Sequence, residues 1–177
     1  AAREQKLKWV REATTLLNSA KRSSLYALMD AFEVLRDAES AREIVEGSSP
    51  QLDRLRECRA EVKAELDEAR RLAPRFSKRE KVALFELDSP ARIHPLLAQS
   101  WRGRLPKFMV IVANRGFLPG RVAFSARTES DANLLDFLAR YRDVVPGELE
   151  YGYGHDQAAG GVVSVEGWEK LKSAIGF

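Results

Sequence analysis

Val82-Ala83-Leu84-Phe85-Glu86-Leu87 is a short, almost continuous apolar run, and the periodicity of the chain changes at it. The charged Ser77-Lys78-Arg79-Glu80-Lys81 precedes it and Asp88-Ser89-Pro90 follows, so it reads as a buried strand closed by a turn. Downstream, Ile93, Leu96, Leu97 and Trp101 share one face of a predicted helix, and residues 107–113 (KFMVIVA) form a second strand. Asn114-Arg115-Gly116-Phe117-Leu118-Pro119-Gly120 is rich in turn residues, so the third strand, 121–126, is expected to return antiparallel to the second as a hairpin. A helix is predicted over 129–142, with Leu134, Leu135, Leu138 and Tyr141 inward and Thr128 or Ser130 as its cap. After Val144-Val145-Pro146-Gly147 come a Gly-rich loop, a strand at 160–165 and a last helix carrying Trp168, Leu171 and Ile175. The order β-α-β-β-α-loop-β-α describes an α+β domain of about 100 residues, an ordinary size for an independent core.

Upstream of the run the spacing is helical. Leu7, Val10, Thr14 and Leu17 mark one amphipathic helix and Leu25, Leu28, Phe32 and Leu35 a second, with Ser23 or Ser24 placed to cap it. A third helix, 39–46, is expected to end on Gly47 in the left-handed C′ conformation. Ser49 and Pro50 suit the N-cap and N1 positions of a fourth, reaching about Leu72, whose Leu52, Leu55, Val62, Leu66 and Ala69 form a narrow seam among alternating charges. Arg59 interrupts the seam, which favours a helix connecting two domains over a coiled coil; Pro74 and the charged run after it mark the boundary.

At 177 residues and 45% apolar content the chain can bury a real core. Its 29 Lys+Arg against 26 Asp+Glu leave a net charge of only +3, so bulk charge announces no partner and any nucleic-acid contact has to be a local patch. The single Cys58 excludes an internal disulfide and fits a reducing compartment. No apolar run approaches the roughly 20 residues a membrane helix needs, and the N-terminus is a charged helical pattern rather than a signal sequence. A cytoplasmic protein without a membrane segment is expected.

Two places carry chemistry. In Ser125-Ala126-Arg127-Thr128 a strand runs out towards a helix start, where Arg127 and free N–H groups can bind one phosphate together; the alternative is a surface ion pair of Arg127 with Glu129 or Asp131. In Gly152-Tyr153-Gly154-His155-Asp156-Gln157-Ala158-Ala159-Gly160-Gly161, four glycines permit close approach of main chain to a ligand and a histidine can donate to a phosphate. The alternative there is a Gly-rich hairpin with an exposed histidine.

Together these residues resemble the C-terminal, DHH-associated domain of DHH-family phosphoesterases. That domain's pattern is a small-residue-Arg-Ser/Thr strand end, then a Gly-Gly-Gly-His or Gly-Gly-His turn and Ala-Ala-Gly. Leu17-Asn18-Ser19-Ala20-Lys21-Arg22 is similar to the Asn-Ala-Ala-Gly-Arg segment of RecJ-like enzymes, which follows their catalytic domain. Tyr153 departs from the pattern by replacing a glycine, Lys21 stands where glycine is usual, and Thr128 replaces a serine. The resemblance implies a helical linker region over 1–76 and a mixed-sheet DHH-associated domain over 77–177. It also implies substrate contacts from Ser125, Arg127, Thr128, Gly152, Gly154, His155, Ala158 and Gly160, with Asn18 and Arg22 from the linker, and a basic margin from Arg102, Arg104 and Lys107.

The family's metal-binding motifs, Asp-His-His among them, are missing, and His94 and His155 are the only histidines. No catalytic residue and no metal ligand is therefore expected in this chain; Mn²⁺ or Mg²⁺ belongs to the catalytic domain that the resemblance implies as an intramolecular partner. The resemblance makes the chain the part of a phosphodiesterase or exonuclease that grips single-stranded DNA, RNA or a dinucleotide, itself inactive. A stand-alone single-stranded nucleic-acid or tRNA-binding module is the alternative, since related domains occur in alanyl-tRNA synthetases. A helical scaffold for a partner protein is a third.

Overall fold

A computed structural model describes residues 2–177. The chain divides into two compact units, the first ending at Glu65 and the second spanning Leu66–Phe177. Among the described residues no helix is long and apolar enough to cross a membrane.

The first unit holds α1 (Ala2–Ser19), α2 (Leu28–Asp37), α3 (Ala41–Glu46) and most of α4 (Pro50–Ala69). Its core is assembled from small and medium side chains, among them Ala13, Leu16, Ala31, Val34, Ile44, Leu55 and Cys58. This reverses the expectation for α2. The helix buries Ala31 and Val34, while Leu28, Phe32 and Leu35 on its larger apolar face, and Leu25 before it, are exposed.

Three local details also differ from expectation or match it for physical reasons. Ser23 and Ser24 do not cap α2, whose N-cap position is Ala27 with no side-chain bond. The buried Ser23 hydroxyl donates to the Glu61 carboxylate, and the Ser24 N–H donates to the same carboxylate at 3.1 Å. Gly47 ends α3 in extended rather than left-handed conformation, φ −65° and ψ 169°. Its lack of a side chain matters for space, since a Cβ would lie 2.4 Å from the Glu43 carbonyl oxygen. Ser49 does cap α4, accepting from Leu52 N–H at 3.2 Å.

The second unit is an α+β fold on a six-stranded mixed sheet of order β1-β2-β3-β4-β6-β5. Its strands are β1 (Arg75–Phe76), β2 (Val82–Leu87), β3 (Met109–Asn114), β4 (Arg121–Arg127), β5 (Tyr151–His155) and β6 (Ala158–Ser164); its helices are α5 (His94–Arg102), α6 (Leu134–Ala139) and α7 (Val165–Ile175). β2 and β3 are parallel, joined through α5, and every other pair is antiparallel. The β3–β4 hairpin forms as expected, with Val112 opposite Ser125. β1 is an edge strand that the sequence reading placed in the helical region.

Two segments are corrected. α6 is short and starts late, because Asn133 rather than Thr128 or Ser130 supplies its cap, accepting from Leu135 N–H at 2.9 Å and Asp136 N–H at 3.2 Å. The Gly-rich stretch is no loop. Tyr151–His155 forms strand β5, paired with β6 and bulged between Tyr151 and Tyr153. Gly154 makes that pairing possible: it sits at φ +139°, and a Cβ there would lie 2.2 Å from the Ala158 carbonyl oxygen.

Alternation along the strands sends Val122, Phe124 and Ala126 of β4, with Ala159 and Val163 of β6, into a core closed by Leu138 of α6 and by Trp168 and Leu171 of α7. The opposite face is covered by α5, which packs over β3 and β4 and sets Trp101 against Phe85 of β2, ring centroids 4.8 Å apart. Beyond β4, no helix among the described residues packs over the outward side chains of β6 and β5, and the candidate site lies there, beside the start of α5.

Candidate functional site

Register defines the floor. Ser125 pairs with Gly160 and Arg127 with Ala158, so the outward side chains of β4 lie beside two small residues of β6. The start of α5, with the preceding Arg92, forms one wall, and Phe117 and Tyr153 contribute aromatic surface. The open cleft has a volume of about 360 Å³, within the roughly 300–1,000 Å³ range of small-molecule sites. Gly160 lets β6 lie close against β4, since a Cβ there would lie 2.4 Å from the Phe124 carbonyl oxygen.

The charge of this cavity is lopsided. Arg127 is half-buried and makes no ion pair among the described residues; one amino nitrogen of its guanidinium donates to Ser125 Oγ and the Ala126 carbonyl at 2.8 Å and to the Ala159 carbonyl at 3.5 Å. Its other N–H groups have no protein acceptor among the described residues, so they are free for a ligand. Burial, and then the nearby Arg102 charge, lower its pKa from the ordinary guanidinium value, and a guanidinium still keeps its proton at neutral pH. The ion pair of Arg127 with Glu129 or Asp131, weighed from the sequence, does not form; Glu129 pairs with Arg102 at 3.4 Å instead. Arg92 likewise has no carboxylate partner among the described residues and lies 6.0 Å from the Phe117 ring centroid. Glu150 is the acid in the lining.

His94 completes the wall. It is 4% exposed, and its Nδ1 is sealed without a hydrogen-bond partner. Burial first, then the charges of Arg92 and Arg127, push its pKa down to about 3, so the imidazole is neutral at physiological pH.

The residues singled out from the sequence separate into groups. Ser125, Arg127, Ala158 and Gly160 line the cavity. His155 does not line it, but pairs with Ala158 as Arg127 does, so register puts His155 and Arg127 on one face with a strand between them. Gly152 and Gly154 shape β5 and lie outside the lining. Thr128 is fully buried; its N–H donates to the Gln157 carbonyl at 3.2 Å, and its hydroxyl is 2.8 Å from that of Ser130. No helix N-terminus follows Arg127 directly, which corrects the expectation that it would share a phosphate with the α6 amides. Asn18 and Arg22 belong to the first unit, at the end of α1 and in the turn after it. Arg102, Arg104 and Lys107 are outside the lining, Arg104 stacking on Trp101 at 5.1 Å.

Sequence reading missed Arg92, Phe117 and Tyr153 as lining residues and considered His94 only as a metal ligand. The signal for Arg92 and His94 was their place where a turn runs into a helix, the kind of element end that presents functional groups. A divalent metal does not fit this cavity, whose donors are two guanidiniums, one neutral histidine and one carboxylate. Among the described residues no three His, Cys, Asp or Glu side chains group as metal ligands.

No protein-family model and no curated protein matches the sequence. Among solved structures, the C-Ala domain of alanyl-tRNA synthetase from Aquifex aeolicus is similar to 60% of this chain over 100% of its own, at 19% identity and a TM-score of 0.40. The pGpG-specific phosphodiesterase PggH from Vibrio cholerae is similar to 83% of this chain at 14% identity and a TM-score of 0.47. The match takes in 47% of the PggH chain, so this chain spans about half of that protein. Likeness at this level assigns no function, and the chemistry of the cavity has to carry the reading.

Proposed function

We propose that the second unit binds a phosphodiester of a nucleotide or single-stranded nucleic acid in the cavity over β4 and β6. The observation that carries this reading is the pair of guanidiniums, Arg92 and Arg127, turned to one 360 Å³ space with no carboxylate partner. Charge-assisted bonds from Arg to a phosphate are strong and fork-shaped. The aromatic surfaces of Phe117 and Tyr153 suit a sugar or base beside that phosphate, since any base can stack on them. His155, on the same face beyond Ala158, extends the anion-binding row.

The resemblance of Phe124-Ser125-Ala126-Arg127-Thr128 and of the Gly-rich strand to DHH-associated domains supports the finer reading. In it the chain is the substrate-binding part of a RecJ-like phosphodiesterase, and the metal-bearing catalytic domain lies outside the residues present here. The pure chain is then expected to leave oligonucleotides intact with Mn²⁺ or Mg²⁺, as followed on denaturing gels. Metal-stimulated cleavage abolished by a substitution within residues 2–177 would sink that reading.

Binding is tested by titrating wild type and Arg127→Ala with a labelled five-nucleotide single-stranded DNA at two salt concentrations. Losing one charge-assisted contact is expected to weaken binding about tenfold. It also lowers the salt slope by about 0.7, the value for one phosphate on a single strand. His155→Ala is expected to weaken binding in the same direction. Equal affinity of all three proteins would return the β5–β6 hairpin to a purely structural role.

A further inference from the structure

Two buried polar atoms of the second unit have no partner among the described residues, Trp101 Nε1 and Nδ1 of His94, and of the two residues only His94 lines the cavity. His94 opens α5, a nine-residue helix whose N-cap, Ile93, offers no side-chain bond, and it is 4% exposed with Nδ1 sealed and unpartnered. A buried polar atom without a partner destabilises the fold, so one retained at the wall of an open cavity needs a reason. Packing alone does not supply it: an apolar ring would fill the same place beside Phe117, whose centroid lies 5.9 Å away, without the orphaned nitrogen.

We infer that His94 contacts the ligand directly, donating through Nε2 as an uncharged imidazole to a phosphate oxygen held by Arg92 and Arg127. This rests on the phosphodiester reading of the cavity and adds to it a third, uncharged donor. The tautomer follows from the sealed nitrogen. A buried N–H without an acceptor is rarer and costlier than a bare lone pair, so Nδ1 carries no proton and Nε2 carries it. The charged groups around the ring all disfavour a second proton except one: Arg92 and Arg127 face it from the α5 approach and from β4, and Glu150 at the rim is the opposing charge. Tyr153, from β5, is the remaining titratable group in the lining. The cavity therefore reads a phosphate with constant charge, and no proton has to be taken up when the ligand binds.

The experiment uses the whole chain and an unphosphorylated four-nucleotide single-stranded DNA, whose diesters do not titrate near neutrality. Its affinity is measured for wild type, His94→Phe, His94→Gln and Arg127→Ala between pH 5.5 and 8. His94→Phe is expected to fold at least as stably as wild type, because it removes an orphaned nitrogen, yet to bind about tenfold more weakly. His94→Gln, which keeps an N–H donor on a similar reach, is expected to recover most of that loss. The ratio of wild-type to His94→Phe affinity should stay constant across the pH range. Unchanged binding by His94→Phe alongside weakened binding by Arg127→Ala overturns the inference and leaves the phosphodiester reading standing. A ratio that grows as pH falls shows a charged His94 in the complex and overturns the uncharged-donor assignment. Absence of wild-type binding removes both the inference and the reading beneath it.

Discussion

Gly154 shows how little of a glycine pattern needs a ligand to explain it. The stretch from Gly152 to Gly161 reads as a flexible phosphate loop, but its geometry is spent on the β5–β6 hairpin, with Gly154 at φ +139° and no room for a Cβ beside the Ala158 carbonyl. Gly120 makes the contrast: it too has positive φ, +70°, but nothing lies within 4 Å of where its Cβ would be. Gly120→Ala therefore costs only the left-handed backbone penalty, roughly 1–2 kcal/mol. Gly154→Ala adds displacement of a main chain to a comparable backbone strain and is expected to cost clearly more, with loss of β5 pairing. Urea denaturation of both variants checks this; equal midpoints would mean that β5 can shift without consequence. Residue identity alone separated neither case, because the decisive neighbour of Gly154 is set by hairpin register. The same holds for the site: Arg127 was legible at a strand end, whereas Arg92 and His94 reach it through the packing of α5 across the sheet, which no local spacing records.

At the scale of elements, period was the reliable signal. The strands β2 and β3, the hairpin β3–β4 and helix α7 lie within a few residues of where the apolar spacing puts them, because burial on one or both faces dictates that spacing. Spacing misplaced the start of α6, which its Asn133 cap sets, and missed the glycine-rich strand β5 and the two-residue edge strand β1. What locks β2 to α7 is also polar. The Glu86 carboxylate accepts from Trp168 Nε1 at 2.9 Å and Lys172 Nζ at 3.0 Å, and Arg115 and Arg75 approach it at 3.2 and 3.1 Å. Burial raises its pKa, but the bonds from Trp168, Lys172 and Arg115 outweigh burial and leave it below the usual 4.5. A carboxyl whose folded-state pKa is lowered stabilises the fold above its unfolded value and loses that contribution as pH falls through the folded one. The melting temperature of wild type should accordingly drop as pH is lowered below about 4.5, and Glu86→Gln should melt lower at pH 7 with a shallower acid dependence. Parallel melting curves for the two proteins from pH 7 to 3 would show that Glu86 contributes nothing.

Across the whole molecule the two units differ in how their apolar residues are spent. The second places Trp168, Tyr151, Phe85, Ile111 and Leu171 almost wholly out of solvent, whereas the first builds much of its core from alanine and leaves Met29 68%, Phe32 58% and Leu35 61% exposed. Helical spacing correctly gave α2 its apolar stripe, but spacing does not say which stripe meets the unit's own core, and here the small-residue stripe does. The exposed stripe follows from that choice: Phe32→Ser should cost the isolated chain under about 1 kcal/mol, while Leu55→Ala, at a fully buried position, should cost about 2–5 kcal/mol. A unit of some 65 residues with an alanine-rich core buries too little apolar surface per residue to match a unit of some 110 residues built on a covered sheet. Local stability follows buried apolar contact, so the amides of α1, α2 and α3 are expected to exchange through openings that leave β2, β3, β4 and β6 protected. Hydrogen exchange across a urea series reads this directly. Helix isotherms that merge with those of the strands at every urea concentration would show the two units unfolding as one, and helix isotherms above the strands would reverse the order of stability; either outcome removes the difference claimed between them.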